Sequence, residues 1–257
     1  MNTGIWIVRS EAFEKALFLA EALAAEVLGA LPHAPEKSGA QDRFQTVFPS
    51  KPRWVLLMAT GIATRYLARM PVDKKTDPAV VVVDEALRFA VPLLGGHEGG
   101  ANALAYEIAR RCGAVPVITT ATESLKPLTL GIGCRKGIGA EAIQAAVDRA
   151  LKETPYSTQH IREAATVDLK AREPGLLEWS HRTAIPLRIF TGPQLADRPL
   201  TAHPSPWVRK QLGIAGVCEP CALLASPRGQ LLVPKQSLCG VSVAVVNDTA
   251  TPQPLVT

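Results

Sequence analysis

The sequence predicts an α/β protein built as two α/β/α-type domains with mostly parallel sheets. Three observations carry this. β-branched runs such as Ala79 to Val83 and Val115 to Thr119 alternate with alanine- and leucine-rich stretches of helical spacing. A strand, a glycine turn and a helix follow one another at Thr60-Gly61, at Gly95 to Gly100 and at Gly131 to Gly139. The 47% hydrophobic content includes only 5% aromatic residues, so Ala, Val, Leu and Ile make up the core, as when helices cover β-branched strands. A chain of 257 residues suits two domains of ordinary size. The polar, proline-closed stretch Glu123 to Pro127 separates residues 1–122 from 128–257.

In chain order, Gly4 to Val8 reads as a strand and Ser10 as the N-cap of a helix to about Leu31, broken by Pro32, Pro35 and Gly39. Phe44 to Phe48 reads as a short strand, and Trp54 to Ala59 as a stronger one ending at Thr60-Gly61. A helix over Ile62 to Met70 then places Thr60, Gly61 and Thr64 near a helix N-terminus, where backbone N–H groups bind anions. The competing reading is a plain glycine turn with threonine caps. Ala79 to Val83 is a doubly buried strand that meets a second, Arg88 to Leu94, at Asp84-Glu85.

The loop that follows is the main site candidate. Gly95, Gly96, Gly99 and Gly100 bracket His97 and Glu98, and Asn102 begins or caps a helix over Ala103 to Arg111. Glycines let the backbone approach a ligand closely, which suits polar side chains that face a cleft. An ordinary strand-to-helix turn with solvated His97 and Glu98 is the alternative.

The second half opens with a strand from Leu128, the loop Gly131-Ile132-Gly133-Cys134-Arg135-Lys136-Gly137, and a helix to about Glu153. The spacing is not the dinucleotide fingerprint, and no acidic residue closes a second strand at the required distance, so NAD binding is rejected. An anion cradle formed by loop N–H groups with Arg135 and Lys136 remains. Strands over Ala164 to Leu169 and Leu187 to Phe190 flank a helix from Pro174 to about His181. Further helices start at Trp207 and near Cys218, and Leu231 to Val233 with Val241 to Val246 close the sheet as a hairpin before a frayed end at Thr249 to Thr257.

The net charge is +5, with basic residues scattered in pairs such as Lys74-Lys75 and Arg209-Lys210. Without a basic stripe, nucleic-acid binding has little support, whereas a modest positive field suits an anionic small molecule. No apolar run reaches bilayer length and no signal-peptide layout is present, so a soluble cytoplasmic protein is expected. Five cysteines without framework spacing are expected to be reduced thiols. Cys218 and Cys221 form a C-x-x-C that keeps a redox or metal role open, although a zinc site needs about four ligands and no second pair supplies them.

The runs Met58-Ala59-Thr60-Gly61-Ile62, Asp77 to Glu85, Pro92 to Asn102 and Pro116 to Thr122 resemble the N-terminal domain of the cobalt-precorrin-5A hydrolase family, CbiG. Gly131 to Gly137, Asp168 to Ala171, Glu173 to Leu177 and Cys218-Glu219-Pro220 resemble its C-terminal domain, which also occurs alone as CobE. Longer members carry a middle domain that is missing here, and Glu98 replaces a residue that is often apolar in the family pattern. The resemblance implies hydrolysis of cobalt-precorrin-5A in anaerobic cobalamin biosynthesis, with opening of a δ-lactone and release of acetaldehyde. It implies His97, Glu98 and Asn102 as catalytic candidates, His97 acting as acid or base. The implied substrate contacts are Thr60, Gly61, Thr64, Gly95, Gly96, Gly99, Gly100, Gly131, Gly133, Cys134, Arg135, Lys136, Gly137 and Glu219. Cobalt then belongs to the anionic corrinoid substrate, and no protein-bound metal or other cofactor is expected. A homodimer, or contact with neighbouring pathway enzymes, would close a site that lacks the middle domain. A non-catalytic tetrapyrrole carrier is the alternative.

Overall fold

The structure is a computed structural model that describes residues 1–32, 39–196 and 216–249. The predicted helix from Trp207, the pair Arg209-Lys210 and nearly all of the predicted frayed end lie outside those residues. The chain forms two compact units, Met1–Thr122 and Glu123–Thr257.

Unit 1 runs β1 (Thr3–Ile7), α1 (Phe13–Leu23), β2 (Glu26–Gly29), α2 (Ala40–Val47), β3 (Arg53–Leu57), α3 (Thr60–Leu67), β4 (Ala79–Val83), β5 (Phe89–Leu94), α4 (Ala101–Cys112) and β6 (Val115–Pro116). Its six strands lie in the order β2-β1-β3-β4-β5-β6, and every pair is parallel except the β4–β5 hairpin. Strand alternation gives the sheet two apolar faces. Ile5, Ile7, Val55, Leu57, Val81 and Val83 meet Leu19 of α1 and Leu104 and Ile108 of α4. Trp6, Trp54, Leu56, Val80 and Val82 meet Phe44 of α2 and Ala63 and Leu67 of α3.

Three local expectations give way to tertiary pairing. The helix expected to reach Leu31 stops at Leu23, where Ala24 turns left-handed (φ +50°), and residues 26–29 pair with β1 as an edge strand. An alanine- and leucine-rich segment carries no strand signal until a neighbouring ladder is available to it. Phe44 to Phe48 is not a strand: Phe44 lies within α2, and Phe44 and Phe48 both pack on Trp54. Their spacing of four residues is a helical one. The strand at Val115 keeps only the two residues Val115–Pro116 and lies at the end of the sheet order; the Val115 and Val117 N–H groups donate to the Arg88 and Ala90 carbonyls, so the N–H that Pro116 lacks is not one the pairing with β5 uses.

The short helix α5 (Ala121–Ser124) spans the division in sequence. Unit 2 then runs β7 (Leu128–Cys134), α6 (Ala140–Leu151), β8 (Ile161–Val167), α7 (Pro174–Thr183), β9 (Leu187–Phe190), α8 (Gly192–Ala196), α9 (Cys218–Ala225), β10 (Gln230–Leu238) and β11 (Val241–Asn247). The order is β10-β11-β7-β8-β9, with β7, β8 and β9 parallel and β11 antiparallel to both its neighbours. Leu169, expected to extend β8, lies instead in a single 3-10 turn over Asp168–Lys170. Leu130, Ile132, Val243 and Val245 pack under Ile143 and Val147 of α6 and Leu176 and Trp179 of α7. On the other face, Ala165, Val167 and Phe190 meet Cys221 and Ala225 of α9.

Candidate functional site

In unit 1 the loop between β5 and α4 is a closed ring of backbone. The Ala101 N–H donates to the Gly95 carbonyl and the Asn102 N–H to the Gly96 carbonyl, both at 2.9 Å. The chain nearly touches itself, because a Cβ on Gly99 would stand 2.8 Å from the Gly95 α-carbon. Gly95 and Gly100 take left-handed angles (φ +66° and +85°), which glycine adopts without steric cost. A Cβ on Gly96 would stand 2.5 Å from the Thr120 methyl group. Asn102, 7% exposed, donates from Nδ2 to Thr120 Oγ1 at 2.8 Å and ties the start of α4 to the segment after β6. His97 and Glu98 sit exposed at the tip of the ring. Glu98 pairs with Lys74 at 3.3 Å, a solvent-facing ion pair of small energetic weight.

The predicted residues of this unit do not converge. β5 runs back along β4, with Val83 opposite Ala90 and Val80 opposite Leu94, so the glycine ring sits at the edge where β4 begins. Leu57 pairs with Val83, which puts Thr60, Gly61 and Thr64 beyond the opposite edge, a strand height of about 13 Å away. Thr64 Oγ1 donates to the Thr60 carbonyl at 2.9 Å, as a helix residue bonding the preceding turn. The hairpin explains the separation: a strictly parallel arrangement would have put both loops on one edge. Thr120 and Lys74 join the His97 loop without having been singled out in the sequence. The signal for Thr120 was its hydroxyl-rich neighbourhood, Thr119 to Thr122.

In unit 2 the loop after β7 carries Arg135 and Lys136 exposed at the C-terminal ends of the parallel strands, where α/β sheets place ligands. Its glycines divide by role. Gly131 and Gly133 face the start of α9 and the residue that precedes it. A Cβ on Gly131 would run into the Cys218 carbonyl, and one on Gly133 would touch Val217. Gly131 is thus a packing residue, whereas the contact at Gly133 is an ordinary one. Gly137 is left-handed (φ +77°), and its N–H is taken by the Glu173 carboxylate at 2.6 Å. Cys134 is half-buried against the α6 face, and burial pushes its thiol up despite the opposing charge of Lys170.

Glu219 is 1% exposed, and its carboxylate accepts the Lys235 N–H at 3.0 Å, so it fastens α9 to β10. Burial pushes the Cys218 thiol up to about 12 and that of Cys221 well above its usual value, which leaves both protonated and unreactive at neutral pH. A thiolate redox pair is therefore not what this C-x-x-C builds. Among the described residues no group of three His, Cys, Asp or Glu side chains is placed to hold a metal ion, and no helix is long and apolar enough to cross a membrane.

These features define a two-unit α/β protein with one glycine-bounded loop at a strand end of each unit. The family model described as "Cobalamin synthesis G N-terminal" matches residues 42–123, and that of the "Cobalamin synthesis G C-terminus" matches residues 128–246. The chain belongs to the cobalamin synthesis G family, in a short form without the middle domain. It is 24% identical to a cobalt-precorrin-5A hydrolase of Priestia megaterium, over 78% of this chain and 79% of that one. A cobalt-precorrin-5A hydrolase of Salmonella typhimurium is 26% identical, over 77% and 82%. Protein CobE of a Sinorhizobium species is 30% identical over 48% of this chain and 81% of its own length.

Proposed function

We propose that this chain is the hydrolase that opens the δ-lactone of cobalt-precorrin-5A and releases acetaldehyde to give cobalt-precorrin-5B in anaerobic cobalamin biosynthesis. The relatives named for that activity match most of the chain, which supports the hydrolase class. The observation that carries the chemistry is the glycine ring of unit 1, which holds an exposed imidazole on a backbone fixed at both ends.

In this reading His97 accepts a proton from water as its oxygen adds to the lactone acyl carbon. The proton returns to the ring oxygen as the acyl C–O bond breaks, leaving a carboxylate and a hydroxyl group. That hydroxyl then gives up its proton and becomes the aldehyde C=O as the adjacent C–C bond breaks, the bonding pair passing to the macrocycle carbon and into its conjugated system, which frees the two-carbon unit. Asn102 acts at one remove, by holding the ring that carries His97. Glu98, at the same tip, is a second acid–base candidate, and Arg135 and Lys136 of unit 2 are cations suited to the carboxylates of the macrocycle. Cobalt is part of the substrate, the protein needs no resident metal, and the reaction takes place in the cytoplasm.

A second reading, carriage of a tetrapyrrole without catalysis, draws on the match of one half of the chain to Protein CobE. Anaerobic incubation with cobalt-precorrin-5A, with acetaldehyde assayed while the corrinoid is weighed by mass spectrometry, separates the two. Acetaldehyde with the matching mass loss supports the hydrolase. A corrinoid that co-elutes unchanged supports the carrier.

A further inference from the structure

Arg135 and Lys136 are exposed, but the backbone that carries them is fastened on two sides. Behind the loop, Glu173, 7% exposed, accepts the Gly137 N–H on Oε1 at 2.6 Å and the Lys170 ammonium on Oε2 at 3.1 Å. Lys170 is itself largely buried, with 18% of its side chain exposed. A side chain on Gly175 would run into the Ile138 carbonyl, so the loop also rests on the first turn of α7. In front, the Arg135 N–H donates to the Gly240 carbonyl at 2.9 Å, and a Cβ on Gly240 would stand 3.0 Å from Arg135 Cδ. The arginine stem therefore lies along the β10–β11 turn.

Glu173 occupies the N-cap of α7, yet its side chain makes no capping bond to its own helix. The backbone alone serves the helix, its carbonyl accepting the Leu176 and Leu177 N–H groups at 3.1 Å. The carboxylate is spent instead on a loop 36 residues earlier in sequence. Helix capping does not require that reach, whereas holding a left-handed glycine beside two exposed cations does. Lys170 neutralises the latch, so that it presents no net negative charge to an anionic ligand.

We propose that Glu173, with Lys170, is a positioning residue for substrate binding: it latches the 135–139 loop so that Arg135 and Lys136 meet carboxylates of the macrocycle in a fixed geometry. This rests on the tetrapyrrole substrate proposed for the chain. The test uses the full-length protein and the variants Glu173→Gln, Arg135→Ala/Lys136→Ala, and the three substitutions combined. Amide hydrogen exchange is followed on the free proteins, and acetaldehyde release gives KM and kcat. Glu173→Gln is expected to speed exchange across residues 135–139 and to raise KM about tenfold with kcat within about twofold, the loss of one charge-assisted hydrogen bond. Added to Arg135→Ala/Lys136→Ala it is expected to raise KM no further, because latch and cations act as one unit.

Unchanged exchange across residues 135–139 overturns the latch whatever the substrate. A wild-type KM in Glu173→Gln overturns it too, as does a rise that persists undiminished without the two cations, which marks a general structural defect. Should Glu173→Gln fail to fold, Lys170→Met carries the same expectations. A wild-type chain that neither binds nor converts the corrinoid, with faster exchange in Glu173→Gln, overturns the substrate reading and the positioning role built on it.

Discussion

Between the α-carbon of Gly131 and the carbonyl of Cys218 there is no room for a methyl group. The first turn of α9 sits directly on β7 at that point, and only a residue without Cβ lets it do so. Gly131→Ala forces the helix off the sheet and is expected to cost roughly 3 kcal/mol or more, read as a lower urea midpoint. Gly61→Ala is the control. A Cβ on Gly61 would meet no atom within 4 Å, and its backbone is not left-handed, so replacement within α3 is expected to be neutral or slightly stabilising. Equal losses at the two positions would show that close packing does not decide the first.

His97 and Asn102 are expected to fail differently. His97 is exposed, so His97→Ala should leave the thermal midpoint within the range of ordinary surface substitutions while lowering turnover about 10²- to 10⁴-fold. Asn102 is buried and bonded to Thr120, so Asn102→Ala should cost roughly 1–3 kcal/mol and lower turnover through the displaced loop. Melting curves beside acetaldehyde assays distinguish the two. Full turnover in His97→Ala would remove the imidazole from the mechanism.

How far the sequence could be read depended on whether the deciding interaction was local. Ala79 to Val83 is β-branched throughout its last four residues and became β4 with the predicted bounds, because burial on both faces leaves a signal in each residue. Glu26 to Gly29 became a strand only through β1, a partner that the local pattern does not reveal. The same distinction holds for the site. The glycine ring around His97 was legible because glycine pairs mark tight backbone. The distance between that ring and Thr60 was not, since it depends on β5 returning antiparallel to β4. The role of Glu173 depends on a contact with Gly137, remote in sequence, and its local cue was only an acidic residue ahead of Pro174 at a helix start.

The cysteines should fall into separate reactivity classes. Cys239 is exposed, whereas Cys218 and Cys221 are buried and their thiols are pushed up, Cys218 to about 12. A disulfide-exchange reagent at about pH 8 is expected to label Cys239 within the folded protein and to reach Cys218 and Cys221 only as the chain unfolds, in step with the urea transition. Rapid labelling of either buried thiol in the native state would restore the redox reading of the C-x-x-C.

The pH dependence of unit 2 stability follows from Glu173. Burial alone would raise its carboxyl, but the Gly137 N–H and the Lys170 ammonium, with a further contribution from Lys136, hold it below its ordinary value. A carboxyl depressed in the folded state binds its proton more readily when unfolded. Its contribution is therefore fully present above the unfolded value of about 4.3 and is lost as pH falls through the lower folded value. The Glu173→Gln variant has no such proton to gain. The stability difference between wild type and Glu173→Gln should thus be constant from about pH 7 to about pH 5 and should shrink toward about pH 3, measured as urea midpoints across that range. A difference that stays constant down to about pH 3 would mean that the charge of the Glu173 carboxylate contributes nothing to stability.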